Sequence, residues 1–208
     1  ALSRDLDYEG EVDTVYLGSW PRQTFERFGG FDESLVRNQD DEHNLRIHKG
    51  GGRIWQSALI RSTYHPRASI GDVFRQYRQY GYWKPFVMKK HGQAAALRHL
   101  IPGLFVAAMI SLMVLMLGFG GLTLMAKSTT TLKWVSAWGT VISAVALMAL
   151  TLTYGLAVGL VSLSISRGLG WRLLGKLPDV IAAYHVGYGL GSIRGWLDVW
   201  GRGRPNPS

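Results

Sequence analysis

The chain has 208 residues, of which 23 are Lys or Arg and 14 are Asp or Glu, a formal charge of +9 at pH 7, and it has no cysteine, which excludes disulfides and thiolate metal centres. Residues 1–100 hold 15 basic and 12 acidic side chains, residues 101–208 hold 8 and 2, and no carboxylate stands between Asp72 and Asp179. A basic, acid-free stretch of that length points to nucleic acid or to a membrane; its middle is apolar, so the membrane is favoured and nucleic acid is set aside as a partner.

In chain order, Glu11 to Trp20 reads as a strand rich in β-branched and aromatic residues. Pro21 opens a short helix, Arg22 to Arg27, which ends at Gly29-Gly30. Phe31 to Leu35 is a turn. Asn38-Gln39-Asp40-Asp41-Glu42-His43-Asn44-Leu45-Arg46 follows as a helix of roughly ten residues stopped by Gly50-Gly51-Gly52. Three carboxylates in a first turn are favoured by the helix macrodipole, so spacing alone is satisfied by ordinary helix chemistry. The rival reading makes one of them a catalytic base. Gly52 to Gln56 and Ala58 to Tyr64 read as short strands, with Pro66 ending the second.

Ser69 to Lys90 is amphipathic, aromatic and basic. It suits single-stranded nucleic acid or an anionic membrane surface, and its place just before a hydrophobic run favours the membrane. Ile101 to Ala126 gives 26 residues without a charge, about 39 Å as a helix, enough to span a bilayer. A loop from Lys127 to Thr131 leads to a second uncharged run, Trp134 to Ser166, longer than one span needs. Spans at about 101–126 and 134–160 form a hairpin. Basic residues are dense outside it, while its loop has only Lys127 and Lys133, which puts residues 1–98 and the tail on the cytoplasmic side. A last helix at about 178–197 is expected to be interfacial or re-entrant. Its Ala183, Gly187, Gly191 and Gly195 let another helix approach, and the hairpin is the expected partner. His185 reads as a packed, hydrogen-bonded side chain rather than a ligand.

The order Val12-Asp13-Thr14, Pro21-Arg22, Gly29-Gly30-Phe31-Asp32-Glu33, Asn38 to Glu42, Arg46, Gly51-Gly52 and Gln76 to Trp83 resembles the second half of family 2 glycosyltransferases. The likeness is greatest to succinoglycan-type bacterial exopolysaccharide transferases, and Tyr184 to Gly189 resembles their C-terminal segment. The resemblance implies an α/β fold at residues 1–98, the C-terminal part of a GT-A domain. An α-helical membrane region follows at 99–208. It also implies inverting transfer of a sugar from a nucleoside diphosphate sugar to a lipid-linked or polysaccharide acceptor at a bacterial inner membrane. Asp40 stands at the family's base position, with Gln39 in place of the usual Glu. Asp41, Glu42, Arg46, Gln76 and Trp83 fall at acceptor- or donor-binding positions, although Tyr82 replaces the Arg that precedes the family's Trp. His65 and Arg67 suit a diphosphate, a metal or a plain surface turn. The family's Mg²⁺ or Mn²⁺ is held by an Asp-x-Asp motif in a nucleotide-binding half. Asp5-Leu6-Asp7 lacks the strand that should precede such a motif, so the chain is expected to be an inactive fragment without that half. Two other classes stay open: a non-catalytic membrane-anchored assembly or scaffold protein, and a transporter component, the latter weakened by spans without charge.

Overall fold

A computed structural model describes residues 7–15, 18–61, 63, 65, 67–92, 99–126 and 131–203. Asp5-Leu6, Tyr64, Pro66, Arg98 and the loop residues 127–130 lie outside them. The described elements are β1 (Gly10–Val12), α1 (Arg22–Phe28), α2 (Gln39–Lys49), β2 (Ile54–Gln56), α3 (Ile70–His91), α4 (Ile101–Met125), α5 (Thr131–Leu169), a 3₁₀ turn at Trp171–Leu173 and α6 (Leu177–Gly201).

The described residues are mostly helical with little sheet: two long apolar helices stand where the hairpin was expected, and the α/β part of a GT-A domain is not seen among them. Among the described residues the sheet is one antiparallel pair, with Gly10, Glu11 and Val12 opposite Gln56, Trp55 and Ile54. The strand expected over 11–20 stops at Val12, because its partner offers only three residues. The strand expected over 58–64 is interrupted where Ile60 N–H donates to the Ser57 carbonyl at 3.2 Å, closing a turn over Ala58-Leu59. A GT-A sheet is not present in the described residues.

Two small cores flank α2. Val12, Ile47 and Ile54 are buried with Val15, Trp20 and Phe28 packed on them. Leu35, Tyr82, Trp83, Phe86, Val87 and Val199 form the other, with Leu45 and Trp196 against it. Successive residues on a helix lie about 100° apart, so Leu45 and Ile47 reach opposite sides and α2 bridges the sheet and the helical layer.

α3 and α6 pack along their length with the backbones in close approach. A β-carbon at Gly81 would collide with the Tyr188 carbonyl; one at Gly191 would collide with the Arg78 carbonyl, and one at Gly195 with that of Tyr82. Pro85, inside α3, nests against Gly195. The small-residue spacing therefore serves α3, where the hairpin was expected. The hairpin is met by the next face of α6, through Gly189 on Pro102 and Val106 and through Ser192 on Gly103.

α4 and α5, with 25 and 39 residues, are long and apolar enough to cross a membrane, by length and composition. Only 6% and 11% of their most apolar windows are buried, whereas the core helix of a soluble protein would be mostly covered. α6 runs 25 residues, longer than expected, but carries Arg194 and Asp198. Tyr82 Oη donates to Asp198 at 2.8 Å, tying the end of α6 to α3.

Candidate acceptor site

The turn before α2 is built to fix its first residues. Asn38 caps the helix in the left-handed conformation, φ 63°, which Asn tolerates better than most side chains. Its carbonyl accepts from Glu42 N–H at 2.9 Å, and its Nδ2 donates to the Tyr80 carbonyl on α3 at 3.2 Å. Gln39 Nε2 donates to the Leu35 carbonyl at 2.5 Å. Farther along, Asn44 Nδ2 donates to Thr14 Oγ1 at 3.0 Å, joining α2 to the segment after β1. The start of α2 is thus held from two sides.

The three carboxylates of the first turn then separate. Asp40 is exposed on the wall of a cleft of about 3200 Å³ and has no hydrogen-bond or ion-pair partner among the described residues. Asp41 lines the same cleft and receives Lys84 Nζ at 2.6 Å; that lysine side chain is 5% exposed. Glu42 is completely buried on the opposite face. Its carboxylate accepts from Arg46 Nε at 3.0 Å, faces Lys90 Nζ at 2.9 Å and lies 2.8 Å from His91 Nε2. Burial pushes Glu42 up, but the bonds from Lys90, Arg46 and His91 outweigh it and leave the carboxyl below its ordinary value.

Arg46 spends its remaining donors on the carbonyls of Phe28 and Gly30, the latter at 2.6 Å. Lys90 also reaches Asp32 at 2.8 Å, and Asp32 accepts from Ser34 N–H and Oγ. Burial raises Asp32, yet the Lys90 and Ser34 bonds prevail and hold it at about 2. Gly29 to Ser34 is therefore clamped to α2 and α3 by one charged network.

Of the residues singled out in the sequence, Asp40, Asp41 and Gln76 all line the cleft. Glu42 and Arg46 do not: they hold the turn and the helix in place. Trp83, 4% exposed, lies in the core with Tyr82 and Phe86 and does not line the cleft. Arg67 lines it, and His65 is exposed away from it. Sequence reasoning missed Lys84 as a site residue, since it is one of several positive charges in the basic segment from Ser69 to Lys90. The visible signal was its place inside the otherwise uncharged run Gly81 to Met88, which is buried throughout. It also missed Tyr77, Tyr154 and Tyr184, which share the cleft.

The described residues do not fit the divalent metal that the resemblance implies. The carboxylates of α2 point apart, Asp41 to Lys84 and Glu42 to three basic groups, and no group of three or more His, Asp or Glu among the described residues could hold an ion.

No family model matches the chain, and no solved structure matches it. A segment of 80 residues, 38% of the chain, is 36% identical to the succinoglycan biosynthesis protein ExoA of Rhizobium meliloti (strain 1021). That segment spans 24% of the relative, about a quarter of its length. The chain is thus similar over part of its length to a protein of exopolysaccharide biosynthesis.

Proposed function

We propose that this chain forms the acceptor side and membrane anchor of a glycosyltransferase that builds a cell-surface polysaccharide. The observation that carries the reading is Asp40, a carboxylate without a partner among the described residues, fixed at a helix start in the lining of a cleft that also includes residues of the apolar hairpin. The partial likeness to a succinoglycan biosynthesis protein supports it. The donor is a nucleoside diphosphate sugar, and the acceptor a lipid-linked sugar at the bilayer face. Donor binding belongs to residues outside the matched quarter of the relative.

Asp40 accepts the proton of the acceptor hydroxyl as its oxygen attacks the anomeric carbon, the diphosphate leaves from the opposite face, and the configuration inverts. General-base assistance of this kind contributes about 10²–10⁴-fold. Asp41, held by Lys84, orients the acceptor, and Gln76 borders it. Arg37, Arg53 and Arg67 bring positive charge to the same cleft, which suits the phosphate of a lipid-linked acceptor. The basic flanks of the hairpin support a cytoplasmic position for the cleft at a bacterial plasma membrane.

The test compares Asp40→Asn with Asp41→Asn in the full-length protein. Asp40→Asn is expected to lower kcat by about 10²–10⁴-fold with the acceptor KM nearly unchanged. Asp41→Asn is expected to raise the acceptor KM. Wild-type kcat in Asp40→Asn removes Asp40 as the base.

A further inference from the structure

Six rings run in file along the cleft: Tyr80 and Tyr77 on α3, Tyr184 and His185 on α6, Tyr154 on α5 and Phe105 on α4, and all six line it. Successive ring centroids are 5.7, 4.0, 4.9, 5.9 and 4.5 Å apart. Each ring is half-buried, neither lost in a core nor fully in solvent. One end of the file is tied to the start of α2, where Asn38, two residues before Asp40, donates to the Tyr80 carbonyl, and Gln76 Nε2 donates to Tyr80 Oη at 3.1 Å. It ends at Phe105, in the second turn of α4, where the hairpin begins. The Tyr154 hydroxyl and His185 Nδ1, 3.1 Å apart, share a hydrogen bond that joins α5 to α6 within it.

The chemistry of this lining is selective. The six rings offer neutral hydroxyl and imidazole groups and no charge, and Ile101, Pro102, Val158 and Val161 add aliphatic side chains at the hairpin end of the same cleft. A hydrocarbon chain needs no hydroxyls, and a phosphate needs cations. A pyranose needs both things present: an apolar C–H face that stacks on the negative face of an aromatic ring, and a rim of hydroxyls that exchange hydrogen bonds with Tyr and His. Tyrosines of an ordinary membrane belt serve the lipid interface, whereas these line the cleft.

We propose that this file is a saccharide-binding track, which seats sugar residues already carried by the acceptor behind the hydroxyl presented to Asp40. The proposal rests on the glycosyltransferase reading above. A file of six rings is longer than one sugar, so the track favours an acceptor that already carries several.

The experiment is calorimetric binding to the full-length protein in nanodiscs, with glucose, three glucose trisaccharides (cellotriose, laminaritriose, maltotriose) and dodecyl phosphate as probes. At least one trisaccharide is expected to bind about tenfold more tightly than glucose, through added stacking contacts. Tyr184→Leu is expected to weaken that trisaccharide about three- to tenfold. Trp134→Leu removes an exposed ring outside the cleft, so it is expected to stay within about twofold, which guards against a general effect of losing an aromatic from the helical region. Trisaccharides no tighter than glucose, or binding of dodecyl phosphate alone, overturns the track. Binding needs no turnover, so the two readings separate. Trisaccharide binding that depends on Tyr184 in a protein without transfer activity upholds the track and sinks the transferase. Transfer by wild type with binding and acceptor KM indifferent to Tyr184→Leu sinks the track alone.

Discussion

Asp40 and Glu42 stand two residues apart on α2 and face in nearly opposite directions, since each helical step turns about 100°. One is left free in the cleft and the other is enclosed by Arg46, Lys90 and His91. The structural carboxylate should therefore be the one whose loss unfolds the protein. Glu42→Ala strands these basic groups and is expected to cost about 3–5 kcal/mol of stability, read by denaturant unfolding; Asp40→Asn should cost less than about 1 kcal/mol. His43, beside Glu42, is completely buried in a box of Trp20, Phe25 and Phe31, its ring centroid 5.5, 5.1 and 5.2 Å from theirs. Burial and then the Arg46 charge push its pKa down, against a smaller upward pull from Glu42. Because the unfolded chain takes up this proton more readily, stability is full above about pH 6.5 and is lost as pH falls toward the depressed folded value. Asp32 adds a second loss, from about pH 4 down to its value of about 2. His43→Phe is accordingly expected to flatten the stability profile between pH 7 and 5 without touching the drop below pH 4, a result that unfolding curves at a series of pH values would show. The cluster of acids was plain in the sequence. Its division into free, paired and buried members was not, because the partners Lys84, Lys90 and His91 lie more than forty residues away.

At the level of elements, the α3–α6 pair decides the shape of the cleft. Glycines 187, 191 and 195 announced a close helix contact in the sequence, and spacing could not say with which helix. The answer lies in α3, which offers Gly81 and the proline-freed groove at Pro85 where its own backbone must come near. Gly191→Ala places a methyl against backbone on α3 and is expected to destabilise by about 1–3 kcal/mol. Gly118→Ala on α4, with open space around it, should change stability by less than about 0.5 kcal/mol. Comparable losses from both would mean that α3 and α6 are not packed this way. The helices were legible because their periodicity, caps and apolar length are local properties. The strands were not: β-branched composition at 11–20 and 58–64 says a segment fits a sheet, while pairing depends on a partner that here extends only three residues.

At the level of the whole molecule, a charged, clamped turn and a two-stranded sheet sit beside a helical layer, and the cleft between them reaches the two apolar helices. The lining of one cleft thus includes Asp40 and Asp41 together with Phe105 and Tyr154. A membrane-borne acceptor would suit that continuity, and the proposed reading rests on it. The most direct measurement is the transfer of labelled sugar from a nucleoside diphosphate sugar into the lipid-extractable fraction of membranes carrying the full-length protein, at matched amounts of wild type and Asp40→Asn. The account predicts labelled glycolipid with wild type and a reduction of at least about a hundredfold with Asp40→Asn. Equal labelling by the two proteins would contradict it.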